Sequence, residues 1–122
     1  MSVRSLLFSL QNIIAAAEGS SSLSTLSKEH RRILTYVAAR TAEGTEVCIG
    51  DVTCSAGLGA PMTVGRRLRD LEAEGWIGIV GDPQNHRRRL VVLTARAGET
   101  LDEVAERVER GLSMVLPTLF LR

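Results

Sequence analysis

The sequence predicts a mainly α chain that carries one small β-hairpin. Three observations lead there. Residues 60–75 read as one amphipathic helix, because Val64, Leu68 and Leu71 recur at i, i+4 and i+7 on a single stripe. A short segment bounded by glycines precedes it, which is the order helix, turn, longer helix. Two β-prone runs follow it, around a segment dense in turn formers that ends in three adjacent arginines.

At 122 residues the chain is expected to form one domain, 1–122. A hydrophobic share of 44% and a charged share of 24% describe an ordinary globular composition. Aromatics are 3%, so the core is expected to be built from Leu, Val, Ile and Ala. The formal net charge is +1, so any affinity for a polyanion must rest on where the charge sits. Cys48 and Cys54 lie six positions apart, which is neither CxxC nor a zinc pattern and fits a reducing compartment. No apolar run has the length of a membrane span, and the first residues do not read as a signal peptide. A cytoplasmic protein without a membrane partner is expected.

Taken in order, residues 3–17 are expected to be helical, with Leu6, Leu7, Leu10, Ile13, Ile14 and Ala17 on one stripe. Gly19 to Ser22 reads as a flexible break. Ser27 is placed to cap a helix running to about Thr41, whose buried stripe is Ile33, Leu34, Val37 and Ala38. Glu46 to Ile49 reads as a short edge strand. Gly50 to Gly57 reads as a short helix, with Val52 and Ala56 pointing one way. Pro61 suits the first turn of the amphipathic helix, and Gly75 suits the left-handed position after it.

Trp76 to Val80 and Leu90 to Thr94 read as strands, joined by a loop too long for a two-residue hairpin. Thr94 can cap a last helix carrying Leu101, Val104, Ala105, Val108, Leu112 and Val115 on its stripe. Pro117 is expected to end or kink it. The apolar tail 116–121 is expected to dock, since a frayed end is usually polar.

Charge placement points to chemistry. The leading half of the 60–75 helix carries Met62, Thr63, Arg66, Arg67 and Arg69, while Asp70, Glu72 and Glu74 crowd its far end. That order opposes the helix dipole, so the arginines are not there for helix stability. A solvated face is the plain alternative. The basic hairpin beside the helix favours insertion among phosphates. Asn85, His86, Arg87, Arg88 and Arg89 at the hairpin tip suit phosphate or minor-groove contact. Thr63, Arg66 and Arg67 suit the major groove, and Met62 is either a packing residue or a base contact. Cys48 and Cys54 read as structural rather than redox-active. His30 and His86 have no ligand spacing, so neither metal nor cofactor is expected. No Ser/His/Asp, HExxH, P-loop or GxGxxG pattern occurs, so no enzyme is expected.

Residues 81–94, G-D-P-Q-N-H-R-R-R-L-V-V-L-T, resemble the wing signature of the MarR family of transcription regulators. Asp82, Pro83, Arg87, Leu90, Leu93 and Thr94 match it. Residues 68–77, L-R-D-L-E-A-E-G-W-I, are similar to the end of that family's recognition helix and its entry into the wing. The likeness covers roughly Leu26 to Leu101. Asn85 stands where the family carries an aspartate that braces the arginine corresponding to Arg87, and His86 stands where it carries an arginine.

The resemblance implies a winged helix-turn-helix with terminal dimerisation helices. Residues 27–94 would be the DNA-reading core, with the wing at 77–94, and 3–17 and 95–121 the dimerisation helices. It implies a homodimer on double-stranded DNA, at a pseudo-palindromic operator, with half-sites about one helical turn (~34 Å) apart. Leu6, Leu10, Ile13, Leu112, Leu119 and Phe120 are the expected dimer contacts. Family members often bind small phenolic or lipophilic effectors, but no residue here names one. The rival expectation is a winged-helix module that binds protein. Salt-dependent binding to duplex DNA separates the two.

Overall fold

The computed structural model describes residues 2–120, with side chains to Leu116. Helix α1 spans Val3–Gly19, α2 Lys28–Ala42, α3 Ile49–Thr53 and α4 Pro61–Ala73. Strands β1 (Ile77–Asp82) and β2 (Asn85–Leu93) pair antiparallel, and α5 runs Ala95–Phe120. Among the described residues, no helix is long and apolar enough to cross a membrane. Leu26–Gly98 forms one compact unit; the second draws on the chain up to Thr25 and from Glu99 onward.

The first unit is built on the stripes expected from periodicity. Ile33, Leu34 and Val37 of α2, Val52 of α3 and Val64, Leu68 and Leu71 of α4 are buried together with Trp76, Ile77 and Val91. Ser27 caps α2 by accepting from the His30 backbone N–H at 3.1 Å. Ala60 stands at the N-cap of α4 without a side-chain bond, Pro61 opens the helix, and Glu74 closes it. Gly75 follows at φ 81°, a left-handed conformation that favours glycine. Thr94 accepts from the Ala97 N–H at 3.2 Å and donates to the Gly75 carbonyl at 2.7 Å, so one side chain starts α5 and fixes the end of α4.

Several local expectations are corrected. The Glu46 to Ile49 strand reduces to one bridge, Cys48 with Leu90, and one bond from the Val91 N–H to the Val47 carbonyl. Helix α3 starts at Ile49 and stops at Thr53, so Ala56 lies beyond it and is exposed. The hairpin connection is two residues, Pro83 and Gln84, because β2 begins at Asn85. The arginine run is therefore strand rather than loop. Register places Gly81 opposite Arg89 but Asp82 opposite Asn85, which leaves His86, Arg87 and Arg88 bulged out of the ladder.

In the second unit α1 continues to Gly19, Ser20 and Ser21 make the connection, and a 3-10 turn at Ser22–Thr25 follows. The two long helices meet closely: a Cβ on Gly111 would lie 2.7 Å from Cγ2 of Ile13. Arg107 donates to the Ser20 hydroxyl at 2.8 Å, and the Ser22 and Thr100 hydroxyls bond at 3.3 Å. Pro117 does not end α5, which runs on to Phe120. The expected contacts of Leu119 and Phe120, and the docking of the apolar tail, lie outside the described side chains.

Candidate nucleic-acid interface

Helix geometry decides which side chains α4 offers. At about 100° per residue, Met62, Arg66 and Arg69 fall on one line, opposite the buried stripe of Val64, Leu68 and Leu71. Met62 is 83% exposed, so it is not a packing residue. Arg66 and Arg69 are exposed as well. Thr63 and Arg67 lie on the flank and are half-buried. The charge of Arg67 acts on Glu29 at the start of α2: the Glu29 carboxylate is held below its usual range first by its own backbone N–H, and Arg67 adds to this.

Two links set α4 against α2. His30 Nε2 bonds the Asp70 carboxylate at 2.9 Å, and Nδ1 of the same ring meets the Ser27 hydroxyl. The fold thus assembles a Ser, His, Asp chain that local spacing did not reveal. Ser27 is engaged there as the cap of α2, so the set acts as a clamp between two helices. It also gives Asp70 a use that the helix dipole does not. Arg32 Nη2 donates to the Gly57 carbonyl at 2.8 Å and anchors the turn that leads into α4.

The wing is braced differently from the expectation. Arg88 reaches Asp82 at 3.5 Å and Glu46 at 3.7 Å. A hydrogen bond with the Cys48 thiol, and then the charges of Asp82 and Glu46, raise its already high pKa. Asp82 also accepts from the Gln84 N–H at 2.9 Å, closing the turn. Arg88 is therefore the strut of the wing, and Asp82 and Glu46 are its missed partners. Asn85 does not brace a guanidinium; its Oδ1 accepts the Arg87 backbone N–H at 3.1 Å. Asn85, His86, Arg87 and Arg89 are exposed.

The structure brings α4 and the wing together in one groove, and α3 and the wing in another. Arg69 and Arg89 line one groove of about 370 Å³, with Gly65, Glu72 and Ile79. Arg87, Arg88 and Arg89 line a second, of about 340 Å³, with Asn85, Cys48 and the start of α3. Both are open, cationic and carried by regular elements rather than by loops.

No family model and no curated protein matches the sequence. Solved structures do match its fold. The transcriptional regulator Tm0710 from Thermotoga maritima superposes with a TM-score of 0.73 at 20% identity, over 96% of this chain and 77% of that one. The MarR-like regulator Tm0816 from Thermotoga maritima gives 0.69 at 20% identity, over 96% and 82%. S. aureus MepR in complex with DNA gives 0.71 at 18% identity, over 96% and 82%. The fold is MarR-like. The exposed residues of α4 and of the β1–β2 hairpin are the candidate site.

Proposed function

We propose that this chain is a sequence-specific, DNA-binding transcription regulator of MarR type. The line of Met62, Arg66 and Arg69 enters the major groove. Arg87 and Arg89, with Asn85 and His86, meet phosphates or the adjacent minor groove. The terminal helices pair two copies on a pseudo-palindromic operator. What carries this reading is the outward line of α4: its side chains stand opposite the core stripe and include no acid, and the basic wing lies beside them. The likeness to a regulator solved on DNA supports it. Thr63 and Arg67 flank that line and take a secondary part.

The test is binding to duplexes selected from random sequence, at several salt concentrations. Four exposed arginines per subunit (Arg66, Arg69, Arg87, Arg89) imply a steep loss of affinity with salt, about 0.9 in logarithmic slope per phosphate neutralised. A selected site with two-fold symmetry is the expected outcome. Salt-independent or undetectable duplex binding would replace this reading with a protein-interaction module.

A further inference from the structure

The large apolar side chains left exposed in the Leu26–Gly98 unit are Met62, Val80 and Val92, at 83%, 44% and 39%. Val80 and Val92 lie on the hairpin strands, where partial exposure is ordinary. Met62 differs in degree and in place. It stands in the first turn of α4, at the leading end of the outward line, with Arg66 one turn behind it. Pro61 before it fixes the entry into the helix, so the side chain projects from rigid backbone. A thioether this exposed stabilises nothing within the chain. It gains only when another surface removes it from water.

In the major groove one base offers an apolar feature. Thymine presents its C5-methyl group, while the other edges there present donors and acceptors. An unbranched, polarisable thioether adapts well to such a methyl. Arg66 supplies the complementary chemistry for the same groove, a fork that suits guanine O6 and N7. Building on the proposed function, we infer that Met62 is a specificity-determining residue that selects a thymine in each half-site by packing on its C5-methyl group.

Replacing thymine by deoxyuridine deletes that methyl and leaves every hydrogen-bonding edge intact. Each thymine of a selected half-site is exchanged in turn, and affinity is measured for the unmodified protein, for Met62→Ala and for Met62→Gln. One position per half-site should lose about fourfold with the unmodified protein, the worth of one buried methyl-sized group. Both variants should bind thymine and uracil duplexes equally at that position. 5-Methylcytosine placed there should recover part of the loss relative to cytosine in the unmodified protein alone. If the unmodified protein binds its selected duplex but no thymine methyl matters, the inference fails and the proposed function stands. If the same methyl dependence persists in both variants, Met62 is not its reader. If no duplex is bound at all, the proposed function itself fails.

Discussion

Arg87 and Arg88 are neighbours in sequence with different work. Arg87 is exposed at the bulge of β2, while Arg88 is tied to Asp82, Glu46 and Cys48. Arg87→Ala should weaken binding across all duplex sequences and lower the salt slope by about one unit per subunit, since a phosphate contact is removed. An unchanged slope would take Arg87 out of the interface. Arg88→Ala should act through wing geometry instead. Its effect on DNA affinity should match that of Asp82→Asn, and the double variant should be no worse than either alone, because residues of one network do not add. Additive losses in that cycle would show that Arg88 touches DNA itself. For Arg66, alanine should cost about 1–3 kcal/mol on the selected site and much less on random duplex. Asp51 supplies the pH-dependent member at this scale. Its carboxylate accepts the Cys48 N–H at 3.0 Å, and this backbone bond first, then the Cys48 thiol, lowers its pKa. A depressed carboxylate contributes stability above its unfolded value, about 4, and loses it as pH falls through the folded value. Acid unfolding of Asp51→Asn should therefore be less steep in that window, and an identical acid limb would exclude the contribution.

Glycines separate what helices gain from what they must leave room for. Gly65 in α4 has open space around its missing Cβ among the described residues, while Gly111 in α5 faces Ile13 at 2.7 Å. Gly65→Ala should stabilise by about 0.5–1 kcal/mol, the ordinary helix gain. Gly111→Ala should destabilise, by about 1 kcal/mol net, because a stiff β-branched neighbour cannot turn away. In an Ile13→Ala background the same change should recover the helix gain. Thermal unfolding of these four variants beside the unmodified protein decides it, and equal shifts at both glycines would deny the close crossing. The contrast between elements also explains what was legible from sequence. Helix α4 was readable to within a residue or two because Pro61 and Gly75 punctuate it and its stripe repeats. Helix α3, at five residues, is too short to show a period, so its limits are not legible in the sequence. The outer half of strand β2 is not legible in the sequence because it is polar on both faces and carries no alternation. The faces of the site were legible for the same reason as the helix, since Arg66 and Arg69 follow from a period. The struts were not: Asp82, Arg88 and Glu46 come from three segments, as do Ser27, His30 and Asp70 from two helices, and no local pattern encodes a long-range pair.

At the scale of the whole molecule the open matter is the partner of the terminal helices. Six apolar contacts are expected from the stripes and the apolar tail, yet Leu6, Leu10, Ile13 and Leu112 are half-buried within one chain, and Ile13 is engaged by Gly111. The side chains left in water are others: Val3, Leu7 and Ile14 of α1 on one line, Phe8 beside them, and Met114 and Leu116 of α5. We propose that these exposed apolar side chains form an interface. A second copy is the occupant that the two-fold reading requires, because a closed pair fixes the distance between two α4 helices and so the half-site spacing. Ile13 is a poor place to test this, since an acid there would break the crossing with α5 as well as any interface. Leu7→Glu and Met114→Glu are better, being largely solvated already. Each should leave the thermal transition of the isolated chain nearly unchanged, within about 0.5 kcal/mol as for other surface changes. Each should also shift sedimentation at micromolar concentration from dimer to monomer. Affinity for the symmetric duplex should fall at least tenfold, while affinity for a single half-site should not change. A monomer in the unmodified protein, or a dimer that survives both substitutions together, would place the interface elsewhere and leave the α1 face without its proposed use.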